Sequence, residues 1–229
     1  MSAVEWTVPV GAEQTTAVYE PGIGDNDVAL FVCAHGAGGG MSDKGILAVT
    51  HVLRSAGIGM VRFNFVYREK GGRRPDLMPQ LMETVAAVVA RARAEVLSTG
   101  REGPGRLIIG GRSMGGRAAS MLAADGFAAD GLLLLAYPLH PAGKPQQLRD
   151  AHLPRIRMPV LCFSGTRDPL CTRSLMERAL TTVTAPWQMQ WIEGADHSFH
   201  VLKSSGRTDA EVMAEIGTVS RAWVDRMPV

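Results

Sequence analysis

Ser113 stands between two glycines at the end of an apolar run, and its setting invites nucleophilic chemistry. The stretch reads Leu107-Ile108-Ile109-Gly110-Gly111-Arg112-Ser113-Met114-Gly115-Gly116-Arg117, followed by small residues. A strand that turns abruptly into a helix at one residue brings the positions two before and two after it into contact, where only residues without a Cβ fit. Gly111 and Gly115 would let that turn lift the Ser113 hydroxyl clear of the backbone. The same turn places Ser113 at a helix N-terminus, where free N–H groups and the helix dipole favour developing negative charge. In a chain with 26 glycines this spacing alone is weak evidence, so the rest of the sequence has to supply a base and an acid.

Both occur in the right order. Gly165-Thr166-Arg167-Asp168 follows an apolar run at 159–164, and Glu193-Gly194-Ala195-Asp196-His197-Ser198-Phe199 follows an alternating run at 187–192. His197 could accept the Ser113 proton and return it to a leaving group. Asp168 could hold the imidazole in the useful tautomer and stabilise the imidazolium. Each has a competitor. His200 is a second histidine nearby, and Asp196 could stand in for Asp168 as the acid, although adjacent residues such as 196 and 197 do not readily face each other. Asp168 before Pro169 could also be no more than a helix N-cap.

A fourth segment, His35-Gly36-Ala37-Gly38-Gly39-Gly40-Met41, follows the apolar run at 28–34. Its glycines would let backbone N–H groups approach a substrate closely. The amides of Met114 and Ala37 are the expected oxyanion donors, with Gly38 as the rival for the second place. A phosphate-binding loop is the weaker reading, because no Gly-Lys-Ser/Thr follows and no G-x-G-x-x-G opens a helix. His35 is expected to hold the loop rather than to react.

The elements that must position these residues alternate between strand and helix patterns. Strands are expected at 4–10, 15–19, 28–34, 58–65, 106–110, 131–137, 159–164 and 187–192, with turns at Pro21-Gly22 and Gly24-Asp25. Helices are expected from 42 or 43 to 55, after Pro75-Asp76, from the elbow to 124, from Pro169 onward, and at the end of the chain, where Val212, Ile216, Val219 and Trp223 share a face. Residues 67–74 read as a polar loop, 100–105 as a linker, and 138–158 as irregular with one short helix. The fold class is therefore α/β: one domain over 1–229, with a mostly parallel central sheet, helices on both faces and an antiparallel start. In such sheets the ligand site lies beyond the C-terminal ends of the strands, where all four segments fall.

Composition narrows the class further. The 229 residues are 46% hydrophobic and 20% charged, enough for a substantial core, and the net charge of +2 does not suggest a nucleic-acid partner. No apolar run approaches the length of a membrane span, and the first residues lack the pattern of a secretory signal. Three cysteines without paired spacing suggest neither a disulfide framework nor a metal site, and a cytoplasmic setting is expected.

The segments HGAGGG, GGRSMGG, SGTRDP and EGADHSF together resemble the α/β-hydrolase superfamily. RFNF and YPLHP resemble a small uncapped branch near the dienelactone-hydrolase-like proteins, which includes testis-expressed and chromatin-complex hydrolase-like proteins of animals. The resemblance implies an eight-stranded sheet and hydrolysis through an acyl-enzyme, with no cofactor or metal. Dienelactone hydrolases proper use a cysteine, whereas this chain has Ser113. The expected activity is cleavage of a small-molecule ester or thioester; the alternative is a catalytically silent interaction module that kept the fold. Too few residues separate the strands ending at 137 and starting at 159 for a lid domain. Leu139, His140 and Lys144 are expected as substrate walls. The basic 68–74 loop and Arg112 could attract an anionic substrate, but a solvated loop and a structural arginine are the commoner explanation.

Overall fold

The computed structural model describes residues 3–24, 27–97 and 105–227. Part of the turn expected at Gly24-Asp25 and most of the linker expected at 100–105 lie outside the described residues. Eight strands form one sheet in the order β1-β2-β4-β3-β5-β6-β7-β8. β1 (Val4–Val10) and β2 (Glu13–Glu20) make the antiparallel start, and β2 also pairs antiparallel with β4 (Ile58–Phe63). From β4 onward, β3 (Ala29–Ala34), β5 (Leu107–Arg112), β6 (Gly131–Leu135), β7 (Val160–Gly165) and β8 (Trp187–Ile192) run parallel.

The central strands are apolar along their length because helices cover both faces. Every residue of β3 and β6 is buried. On one face Leu81, Val85, Val88 and Val89 of α3 (Met78–Ala92), Ala118 and Ala119 of α4 (Met114–Ala124), and Met176 of α5 (Arg173–Leu180) pack on Val32, Ile109 and Leu134. On the other, Ile46, Val49 and Leu53 of α1 (Lys44–Ser55) join Val212, Ile216 and Trp223 of α6 (Asp209–Asp225) over Phe31, Leu133 and Phe163. Between β6 and β7 the only regular element is a short 3-10 helix, Leu153–Arg155. There is no room in that connection for a cap domain.

Two expectations needed correction, and one helix ends in a turn of another kind. The loop read at 67–74 opens with one helical turn, α2 (Val66–Glu69), whose Tyr67 N–H is taken by the Asp76 carboxylate at 3.0 Å. α3 runs on into a π-helical turn, Arg93–Leu97. α5 begins at Arg173 rather than Pro169, because Asp168 folds the next residues into a turn: its Oδ1 accepts the Leu170 N–H at 2.8 Å. Local sequence favours a helix start after Asp-Pro, but here the carboxylate has a second demand on it.

Candidate active site

The sheet sets the elbow. Ala34 of β3 is in register with Gly111 of β5, and Arg112 with Leu135 of β6. Ser113 then takes φ 51° and ψ −116°, a conformation L-residues rarely adopt, and donates its N–H to Leu135 O at 2.9 Å. The flanking glycines are needed for a different reason from the one expected. Gly111 and Gly115 do not press on each other; both press on the end of β3. A Cβ at Gly111, where φ is +147°, would sit 2.2 Å from Ala34 O, and one at Gly115 would sit 2.5 Å from the same atom. It is Gly116 that packs on Gly111, with a Cβ 2.6 Å from its carbonyl oxygen.

The three side chains singled out for chemistry meet above the C-terminal edge. Ser113 Oγ lies 2.9 Å from His197 Nε2, and His197 Nδ1 lies 2.8 Å from Asp168 Oδ2. The Asp168 side chain is fully buried while 22% of the His197 side chain remains exposed, so the carboxylate is shielded and the imidazole is reachable. With Asp168 accepting from Nδ1–H, Nε2 is left free to accept the Ser113 proton. Asp168 makes the N-cap-like turn and the imidazole contact at once, one through each oxygen.

The rivals are placed elsewhere. Asp196 Oδ1 accepts the N–H groups of Ser198 at 2.7 Å and His200 at 3.1 Å, which shapes the histidine loop. His200 is exposed and pairs with Asp209 at 2.9 Å. Hydrogen bonding to Asp209 raises its pKa and lowers that of the carboxylate.

The glycine-rich segment passes directly beside the serine: a Cβ on Gly36 would be 3.5 Å from Ser113 Cβ. The amides of Ala37 and Met114 donate to no acceptor among the described residues, so both are available. Gly38 has φ +71°, and the buried Tyr67 hydroxyl has no hydrogen-bond partner among the described residues. His35 is buried, donates Nδ1–H to Gly36 O at 2.8 Å and accepts the Phe65 N–H on Nε2 at 3.1 Å. Burial lowers its pKa, which keeps it neutral and suits that pair of bonds. Sequence reasoning gave no role to Asn64 and read Asp43, with Ser42, as a helix cap. Asp43 is the residue before α1, but its side chain makes no cap bond. Its Oδ2 instead accepts the Gly40 N–H at 3.0 Å, while Asn64 Oδ1 accepts the Met41 N–H at 2.9 Å. Nothing local in the chain pairs residue 64 with residue 41; only the β3–β4 pairing brings them together.

Two expected substrate walls are corrected. Leu139 is wholly buried in the core, and His140 is 3% exposed, its Nε2 accepting the Thr172 N–H at 3.2 Å. The connection folds back at this point, with Arg149 N–H donating to Leu139 O at 2.8 Å, so both side chains serve packing. Arg112 is turned to the histidine loop. Burial pushes the Cys33 and Cys171 thiols up to about 12 and the Cys162 thiol well above its ordinary value, which suppresses their thiolates.

Three solved structures share the architecture across nearly their full lengths. A serine hydrolase homologue from Coxiella burnetii superposes with a TM-score of 0.76 at 19% identity, covering 96% of this chain and 98% of that one. A lid-less α/β serine hydrolase from Xanthomonas campestris gives 0.74 at 21% identity, over 100% and 98%. A dienelactone hydrolase from Anabaena variabilis gives 0.73 at 19% identity, over 100% and 99%. At these identities the likeness speaks for the fold. Residues 27–225 match the family described as Alpha/beta hydrolase domain, a span that holds the elbow, the glycine-rich segment and the loops of Asp168 and His197. The chain belongs to the α/β-hydrolase domain family.

Proposed function

We propose that this protein is a serine hydrolase of carboxylesterase type, cleaving a small-molecule ester or thioester through an acyl-enzyme. The family supplies the general class, hydrolysis. The unbroken chain Ser113 Oγ, His197 Nε2, His197 Nδ1, Asp168 Oδ2, with contacts of 2.9 and 2.8 Å, carries the finer reading.

In this mechanism Ser113 Oγ attacks the substrate carbonyl carbon as its proton passes to His197 Nε2. Asp168 keeps the imidazole in the accepting tautomer and stabilises the imidazolium. Negative charge gathers on the former carbonyl oxygen, where the Met114 and Ala37 amides are the donors. One such donor is worth about 3–4 kcal/mol in the transition state. Collapse breaks the bond to the leaving group, which takes the proton from Nε2. Water repeats the sequence on the acyl-serine and frees the enzyme. The short β6–β7 connection supports an open site.

A fluorophosphonate probe together with short-chain p-nitrophenyl esters tests this reading. Wild-type protein is expected to be labelled and to turn over ester, and Ser113→Ala to do neither. Equal labelling of both proteins, or none of either, would overturn the proposal.

A further inference from the structure

Building on the serine-hydrolase reading, we propose that Arg112 is a positioning residue that locks the His197 loop to the nucleophile elbow, and is not a substrate-binding cation. Arg112 is the last residue of β5 and immediately precedes Ser113, so its backbone is held as firmly as the elbow itself, in register with Leu135 of β6. Its side chain leaves on the face covered by α1 and α6. There the guanidinium lies against the first turn of α1, where a Cβ on Gly45 would be 3.8 Å from Nη1 and 3.9 Å from Cζ. From that support Nη2 reaches the other side of the site and donates to His197 O and to Ser198 Oγ, each at 3.2 Å. Both hydrogens of Nη2 are thus spent on the histidine loop.

The consequence follows from geometry. The His197 backbone sits in a loop held by the Ala195–Val201 bridge, by the Asp196 side chain, by Asp209 Oδ1 on the Val201 N–H at 2.9 Å and by the Arg167 N–H on Ala195 O at 2.9 Å. None of these contacts involves Ser113 or its neighbours in the chain. Arg112 is such a neighbour, and it ties the histidine main chain to the residue bonded to the nucleophile. The 2.9 Å separation between Oγ and Nε2 is then set within a short covalent and hydrogen-bonded path rather than across the whole sheet. Guanidinium suits this task because its planar fork loses little freedom per bond formed.

The test compares Arg112→Ala, Arg112→Lys and wild type by amide hydrogen exchange at 197–199, and by kcat and KM on p-nitrophenyl acetate and on an ester of the same alcohol with a free carboxylate. In Arg112→Ala, exchange at 197–199 is expected to rise about tenfold while the sheet stays protected. kcat is expected to fall about a hundredfold on both esters with KM nearly unchanged, as for a displaced catalytic group. Arg112→Lys should restore part of the kcat. A KM rise confined to the anionic ester, with kcat kept, would make Arg112 a substrate contact and overturn the proposal; unchanged exchange at 197–199 would do the same. If Arg112→Ala fails to fold, Arg112→Gln, which keeps a planar donor, is measured instead against the same outcomes. The exchange result stands even if wild type shows no turnover, in which case the serine-hydrolase reading fails and the loop anchor is judged alone.

Discussion

The two halves of the site are held in place by different means. The elbow is fixed by main chain against main chain: Gly111 and Gly115 lie on the Ala34 carbonyl, and Ser113 N–H bonds Leu135 O. The histidine loop has main-chain bonds as well, Arg167 N–H to Ala195 O at 2.9 Å and Asp196 N–H to His200 O at 3.0 Å, but His197 and its neighbours are held largely by side chains. Asp196 takes two of its N–H groups, Asp209 Oδ1 takes that of Val201 at 2.9 Å, Asp168 holds the imidazole, and Arg112 holds the His197 carbonyl. A backbone-built half tolerates change in most side chains and fails where a Cβ intrudes. A half built from side chains can be dismantled one charge at a time while the fold persists.

The largest effect should come from Asp168→Asn. Leu170 N–H requires an acceptor at Oδ1, which leaves the new amide NH₂ facing His197 Nδ1. Nδ1 must then accept, the proton moves to Nε2, and Ser113 loses its base. Turnover of p-nitrophenyl acetate is expected to fall about 10⁴-fold with the fold intact by circular dichroism. Asp196→Asn keeps its Oδ1 for Ser198 and His200, so its turnover should stay near wild type. The reverse pattern would move the acid to Asp196.

Gly115→Ala probes the other half. Its methyl would lie 2.5 Å from Ala34 O and 2.6 Å from His35 O, with backbone on both sides and no flexible side chain to yield. A loss of about 3 kcal/mol or more in urea unfolding is expected, with the melting temperature falling by about 2–4 °C for each kcal/mol. A stable, active Gly115→Ala protein would show that the elbow can shift away from β3.

The smallest effect concerns His200 and Asp209 at the rim. His200 has a folded pKa raised above 6.5, so its contribution is complete below that value and is lost as pH rises through the folded pKa. Asp209 is lowered below 3.8, so its contribution is present above that value and is lost as pH falls through the folded pKa. The pair is therefore strongest between those two values. Asp209→Asn should bring the His200 titration, followed by its ring proton resonances in NMR, down toward 6.5 while neutral-pH turnover changes little. An unmoved titration would mean that the two side chains do not pair in solution.

Much of the site was legible along the chain because each piece is local. A glycine-flanked serine after an apolar run, and an aspartate and a histidine after two later runs, are short patterns whose order is preserved in the sequence. The strands were legible for the same reason: β3 and β6 are unbroken apolar runs, and β7 is apolar up to Ser164, because both their faces are covered. What was missed depends on partners far away in sequence. Leu139 and His140 read as walls beside the nucleophile strand, but Leu170, Thr172 and Arg149 fold that segment inward. Asn64 looks like an ordinary polar residue, and Arg112 was singled out without its partner; only the sheet brings them to Met41 and His197.

The amino-acid order by itself determined which groups could do chemistry and on which edge of the sheet they emerge, since strand periodicity and chain direction are properties of neighbouring residues. Only the tertiary structure decided which carboxylate meets the imidazole, why the elbow glycines admit no side chain, and where the Arg112 fork is spent. Those are contacts between segments separated by up to 86 residues in the chain, as Arg112 and Ser198 are, and their distances exist only once the sheet has closed the gap.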